Sequence, residues 1–359
     1  MINFKSVIAV IALVSSMASS NAGASISDSF VEIDSWQKQP TLPFPLSNHQ
    51  ARVFGDWLVV SGGRDRLGKP VAQMLSAKIR GNGALESWKI EAPFPFPISG
   101  HAMESLNGFA YISGGMRQSG KSESLTPAVW MSQLAKDGYP GKWRLTRDMP
   151  EGLQAHNMVA WGNSLYVIAG MSKDGFSNSV YKGNQDKDGR ITSWKQLLSL
   201  PSALAYSSAV VLNGYLVVVG GQSPAEGKTL IMPTTYVGPL MKDGEPTTWY
   251  LASSKLPGAW LGFGRCQAGL IAYRNTLLCF GGQDSSWFYI NNIASTSFDP
   301  EKGEIEKWGI SDGPKDMAQV SAVSQWKDRV YMVGGFSGGK ITAQVNSLKL
   351  GTIAREEPR

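Results

Sequence analysis

Apolar runs that stop on a glycine pair return along the whole chain. "GHAMESLNGFAYISGG" (100–115), "SSAVVLNGYLVVVGG" (207–221) and "SAVSQWKDRVYMVGG" (321–335) share one outline. Two short apolar segments flank a tight turn such as Asn213-Gly214, and the second segment ends on the glycines. This pattern predicts an antiparallel hairpin at each copy. Aligned on the glycines there are six copies, with the second position at Gly63, Gly115, Gly170, Gly221, Gly282 and Gly335. Copy three carries Ala169 in place of the first glycine.

A second mark follows the first five pairs: Trp88, Trp143, Trp194, Trp249 and Trp308, each after a short turn such as "NGALESW" or "DGRITSW". Several copies then close on a proline, as at Met149-Pro150, Leu200-Pro201 and Leu256-Pro257. A period of about fifty residues with these marks predicts a propeller of four-stranded blades. The sixth copy has no such tryptophan, and the missing piece lies at the other end, in "SFVEIDSWQKQPTLP" with Trp36. A strand from about Phe30 to Trp36 is therefore expected to complete the last blade and cover its open edge. The expected fold is all-β, a six-bladed β-propeller of four-stranded antiparallel blades over residues 26–355. The repeat tryptophans read as blade packing.

These residues resemble the kelch repeat family, and among its members the exported bacterial forms that combine a glycine pair, an acidic-Gly turn, a Trp and a Leu-Pro. The resemblance covers nearly all of residues 26–355. It implies the propeller fold, and it leaves function open, because propellers host enzymes and binding modules alike. The family includes secreted N-acetylneuraminate epimerases (sialic acid mutarotases), copper-dependent galactose oxidases and protein-binding scaffolds. Galactose oxidases use a tyrosine–cysteine cross-link and histidines around copper. Here both cysteines and all three histidines occupy repeat positions, so neither copper nor another cofactor is expected.

Composition sharpens this picture in two ways. The 40 glycines and the 17% charged fraction suit short strands and tight turns better than long surface helices. The opening "MINFKSVIAVIALVSSMASSNAGAS" has Lys5, an apolar run and then small residues. Residues 1–22 read as a secretory signal peptide whose apolar run is too short to favour a membrane span, placing the mature protein in the periplasm or outside the cell. Removing them takes away Lys5 alone and lowers the formal charge of +6 by one. The remaining charges are scattered, which with export argues against a nucleic-acid partner. A mildly basic surface suits a protein or acidic glycan of the cell envelope.

His49, His101 and His156 each lie fourteen residues before the second glycine position of copies one to three; the other copies have Ser207, Ala268 and Ser321. No carboxylate repeats beside them, so packing against the small residue across the hairpin is preferred to a metal ring. Cys279 is expected opposite Leu270, and Cys266 near Gln283, too far apart for a disulfide. Three motif matches are set aside. "GFSGG" (335–339) has no strand-to-helix elbow, "GQSPAEGKT" (221–229) has a spacing unlike a phosphate loop, and "NQDKDG" (184–189) opens a calcium-type loop that ends on Lys195.

In such a blade the loops after strands two and four share one face. Here they are long and chemically varied, so a site is expected there. The expected ligand-binding residues are Arg64, Arg117, Gln222, Trp260, Arg265, Gln283 and Trp287. Arginines beside aromatic rings suit a ligand with a carboxylate and a sugar or apolar face, and the three arginines are expected to converge at the channel mouth. Asp65, Glu226 and Asp284 are the carboxylates close after a glycine pair, and none sits in a catalytic motif. The favoured function is a binding or scaffold module; the alternative is a carbohydrate-active enzyme similar to sialic acid mutarotases.

Overall fold

Each glycine-pair repeat becomes the two inner strands of one sheet in the computed structural model, which describes residues 36–258, 263–313, 318 and 320–351. The described residues form strands and turns without helices, and six of their sheets have four-stranded antiparallel cores. Blade one comprises Gln50–Phe54, Trp57–Ser61, Met74–Lys78 and Lys89–Ile90. Blade two comprises Ala102–Leu106, Phe109–Ser113, Val129–Gln133 and Arg144–Leu145. Blade three has longer strands, Asn157–Trp161, Ser164–Ser172, Gly175–Gln185 and Ile191–Gln196. Blade four runs Ser208–Leu212, Tyr215–Val219, Thr235–Pro239 and Tyr250–Leu251. Blade five runs Gly269–Tyr273, Thr276–Phe280, Asn292–Asp299 and Gly309–Asp312. The innermost strands of neighbouring blades touch in cyclic order, and Ala322–Trp326 of blade six closes the ring on Gln50–Phe54.

Blade six has only Ala322–Trp326, Arg329–Val333 and Val345–Lys349 from the C-terminal end. Its outer strand comes from the N-terminal side: Gln37 and Lys38 pair with Ser347 and Asn346. Trp36 packs beside Leu348 in the same apolar cluster. The closing strand thus begins just past the expected Phe30–Trp36 segment, whose first six residues, like the signal segment 1–22, lie outside the described residues.

The glycine pairs mark where one blade meets the next. The second glycine's N–H donates to a carbonyl of the following blade: Gly63 to Ile98 (2.8 Å), Gly115 to Leu153 (2.7 Å), Gly221 to Arg265 (2.7 Å) and Gly335 to Leu46 (2.9 Å). A Cβ on Gly220, the first glycine of its pair, would lie 2.1 Å from the Arg265 carbonyl oxygen, and its φ of +62° disfavours any side chain. Ala169 departs from the pattern where a register shift opens the hairpin between Ile168 and Gly170, and Gly170 still reaches the Leu204 carbonyl at 2.7 Å.

A second belt lies on the channel. Asn48, Gly100, Ala155, Tyr206, Gln267 and Val320 occupy one repeat position and all have left-handed backbones. Along it, Gly100 N–H donates to Asn48 C=O, Ala155 to Gly100, Tyr206 to Ala155 and Gln267 to Tyr206, at 2.8–3.0 Å. On the opposite face, ring-bearing side chains latch onto the next blade's turn. The hydroxyls of Tyr111, Tyr166 and Tyr331 donate to Gly189, Gly244 and Gly83 carbonyls at 2.6, 2.6 and 2.7 Å.

The histidines are blade bolts, as the packing expectation requires, but their partner is the preceding blade. His101 Nε2 meets Ser61 Oγ at 2.8 Å, His156 Nε2 meets Ser113 Oγ at 2.9 Å, and His49 Nε2 donates to Val333 C=O at 3.0 Å. The small residue that makes room is the preceding blade's first glycine: a Cβ there would lie 2.9 Å (Gly62) or 2.6 Å (Gly114, Gly334) from the imidazole Cε1. Burial pulls His49 and His156 down to about 4; burial, with the two neighbouring histidines, pulls His101 to about 3. Cys279 pairs with Leu270, and Cys266 bridges to Gln283. Both are buried free thiols, which burial pushes up to about 11. Trp88, Trp194 and Trp249 are half-buried, and their indole N–H groups donate to Pro40, Arg147 and Leu198 carbonyls. Trp308 is buried.

Three outcomes test this architecture. A chain starting at Gln39 lacks Trp36 and the closing strand, and is expected to lose about 2–4 kcal/mol of stability; an unchanged melting temperature would count against closure. Gly220→Ala is expected to cost about 2–4 kcal/mol. Gly227→Ala, at φ +75° with open space around its Cβ, should cost only about 1 kcal/mol; equal losses would remove the role given to blade approach. The three histidines titrate lower in the folded chain than unfolded. Their contribution is therefore full above pH 6.5 and declines as pH falls towards about 4. Replacing all three with Asn should flatten unfolding free energy between pH 6.5 and 5, and a slope unchanged from wild type would refute the bolts.

Candidate functional site

The loop face gains its relief from the segment after each glycine pair. Blades two, four and six raise hairpins: Met116–Ser119 with Ser122–Leu125, Gln222–Ala225 with Lys228–Ile231, and Phe336–Ser337 with Lys340–Ile341. Two of the motifs set aside from the sequence, "GQSPAEGKT" and "GFSGG", lie in the latter two. Blades one and five instead fold a compact loop around an aspartate. Asp65 Oδ1 accepts the N–H groups of Leu67 and Lys69 at 2.8 and 3.0 Å. Asp284 Oδ1 does the same for Ser286 and Phe288 at 2.9 and 3.1 Å. Short acidic side chains favour such turns because they mimic a backbone acceptor. The two loops differ at their left-handed position, which holds Gly68 (φ +73°) in blade one and Trp287 (φ +62°) in blade five. A bulky residue held there costs of order 1 kcal/mol or more, and such strain collects at functional positions.

Between these loops lies the channel, a cavity of about 210 Å³ bounded by the opening residues of all six inner strands. Arg64 stands at its rim. Its backbone exchanges hydrogen bonds with Ser47 at 2.7 and 3.0 Å. Its guanidinium pairs with both carboxylate oxygens of Glu123 on the blade-two hairpin and donates to Gly68 C=O at 2.7 Å. Burial raises the pKa of Tyr206 in blade four, and the Arg64 charge opposes that rise. Arg64 is therefore within electrostatic reach of Tyr206.

The three arginines do not converge as expected. Arg117 sits opposite Ser124 while Glu123 sits opposite Gln118, so Arg117 and Glu123 project from opposite faces of one hairpin. The Arg117 guanidinium lies 4.4 Å over the Phe96 ring, a cation–π contact. Arg265 is only 1% exposed. It donates to Pro257 (2.7 Å), Gly281 (3.1 Å) and Asn292 (3.2 Å) carbonyls and to the Asn292 side chain. Burial lowers its pKa, with Cys279 and Asp284 countering. It is a strut beneath the blade-five loop rather than part of a surface patch. Gln222 is also buried, its amide reaching Cys266 Sγ at 3.4 Å. Gln283 is half-buried between Cys266 and Tyr289. Trp287 is half exposed, and Trp260 lies outside the described residues.

One feature was read in the sequence only through Trp287, and a second was not read. The first is an aromatic lip: Trp287, Phe288 and Tyr289 are 50%, 63% and 37% exposed, and Tyr289 stacks on Phe336 of blade six at 5.8 Å and 18°. Phe263 is a further exposed ring of blade five, with Lys255 Nζ 5.6 Å from its centroid. The signal was present as "SSWFY" (285–289), three adjacent rings in a loop where blade one has "RLGK". The second is Glu123, whose role depends on a partner 59 residues away. Of the carboxylates after glycine pairs, Asp65 and Asp284 cap their own loops, and Glu226 sits on the turn of the blade-four hairpin at φ +45°. Asp186 likewise holds its turn, accepting from Asp188 and Arg190 N–H at 2.9 and 2.8 Å. Among the described residues no cluster of three His, Cys, Asp or Glu side chains is arranged to hold a metal, and no helix is long and apolar enough to cross a membrane.

No family model matches the sequence. It is similar to beta-scruin of Limulus polyphemus, 22% identical over 264 residues, covering 70% of this chain and 26% of that protein. It is also similar to kelch-like protein 36 of Bos taurus, 25% identical over 184 residues, covering 50% of this chain and 28% of that protein. The chain thus spans about a quarter of the length of these curated relatives. The solved structure of YjhT superposes with a TM-score of 0.67 at 13% identity, covering 86% of this chain and 95% of that one. Six sheets in a closed ring, kelch-repeat relatives and this structural likeness agree: the chain folds as a β-propeller of the kelch type.

Proposed function

We propose that the protein is an exported binding module that engages a protein or acidic glycan of the cell envelope through its loop face. The observation that carries this reading is the aromatic lip of blade five, with Trp287 in a left-handed backbone and Phe288 63% exposed. Exposed aromatic side chains on a rigid support offer large contact area at small entropic cost, and such residues dominate binding energy at interfaces. Arg265 and Asp284 hold the loop from below, so little ordering remains for a partner to impose. Export through residues 1–22 supplies the compartment, and the reading requires no metal or cofactor. The enzyme alternative draws no support from Asp65 or Asp284, whose carboxylates hold their own turns, and Glu226 sits on the exposed turn of the blade-four hairpin.

A Trp287→Ala/Phe288→Ala variant tests the lip. Against a glycan array and purified envelope components, wild type is expected to bind at least one class and the variant to bind it at least tenfold more weakly. Its melting temperature should stay within a few degrees of wild type, because both rings face solvent. Equal binding by the two proteins would overturn the reading.

A further inference from the structure

Glu123 reaches from blade two to a guanidinium at the channel rim. The contact is two-pronged, Nη1 to Oε1 at 3.2 Å and Nη2 to Oε2, the geometry by which arginine recognises any carboxylate. It is also displaceable. Both side chains remain partly solvent-exposed, where water and salt compete with the pair. Glu123 is carried on a strand, Ser122–Leu125, whose first three residues are exposed.

The cavity lies close to this pair, and the guanidinium in its lining, that of Arg52, is already paired with Glu104. Its lining begins at Asn48, the neighbour of Ser47, which is bonded to the Arg64 backbone. The 210 Å³ volume has room for roughly seven waters at about 30 Å³ each, or a molecule of four or five carbons. Its lining is rich in hydrogen-bonding side chains, including Asn48, Gln50, Asn157, Ser207 and Gln267. His49, His101 and His156 also border it; each is more than nine-tenths buried and has an Nδ1 without a partner. Since His49 Nε2 donates to Val333 C=O, its Nδ1 carries a free lone pair.

We propose that the channel mouth is a binding site for a small hydroxycarboxylate, with Arg64 taking its carboxylate, and that Glu123 is the internal carboxylate such a ligand displaces. The ligand's hydroxyls meet the polar lining below the rim. The proposal stands apart from the aromatic lip, because none of its residues belongs to that loop.

Calorimetry with L-malate, and with erythritol as a neutral four-carbon match, decides it. Glu123→Gln is expected to bind malate at least tenfold more tightly than wild type, with affinity that falls as salt rises. Erythritol should bind neither protein measurably. Adding Arg64→Met to Glu123→Gln should remove the gain, while Trp287→Ala should leave malate affinity unchanged. Equal malate binding by wild type and Glu123→Gln would overturn the proposal, as would a gain that survives loss of Arg64 or the absence of malate binding to every variant. Glu123→Gln, an exposed and nearly isosteric change, keeps the test valid if the Arg64 variant does not fold.

Discussion

The hydrogen bond to the next blade's carbonyl from Gly63, Gly115, Gly170, Gly221 and Gly335 is the constraint on which the rest of this structure depends. It joins neighbouring sheets at backbone distance, from Gly63 to Ile98 and onward to Gly335 and Leu46. At that distance the preceding residue has no space for a side chain, and Gly220 shows the limit, with 2.1 Å to the neighbouring carbonyl oxygen. Where Ala169 replaces the glycine, the backbone keeps the same left-handed turn at φ +57° and the strand pairing shifts register between Ile168 and Gly170. A residue pair that looks like a turn signal in one dimension is thus a docking surface in three.

Once neighbouring blades are held so closely, their other contacts fall into repeated belts. The left-handed belt on the channel, the imidazole bolts and the tyrosine latches each join a blade to a neighbour. No single belt need be strong, because buried hydrogen bonds contribute about 1 kcal/mol each and act together around a closed ring. The charged Arg52–Glu104 pair, with Glu104 buried, adds a further link between blades one and two. This rigidity frees the loop face from any structural duty beyond its own turns.

Relief on that face arises from small local choices. An aspartate after the glycines folds a tight loop in blades one and five, while blades two, four and six raise hairpins. Within the aspartate loops, exchanging Gly68 for Trp287 turns a plain corner into an exposed aromatic lip. Arginine residues that look alike in sequence part company here. Arg64 pairs with Glu123 of the blade-two hairpin, Arg117 covers Phe96, and Arg265 disappears beneath the lip.

The sequence by itself determined the repeat, and through it the number of blades, the closure from the N-terminal side and the packing role of histidines and cysteines. These are periodic properties: every copy repeats the same demand on backbone and volume, so the alignment displays the demand directly. The candidate site was legible only as a face. Adjacency to a glycine pair placed Arg64 at the channel rim and Trp287 in a loop above the ring, but it said nothing of burial. That Arg265 is a strut, that Arg117 and Glu123 leave opposite faces of one hairpin, and that Glu123 meets Arg64 were decided by tertiary structure. Each depends on how loops from different blades pack together. Loop packing is set once per molecule by contacts distant in sequence, so no repeat records it.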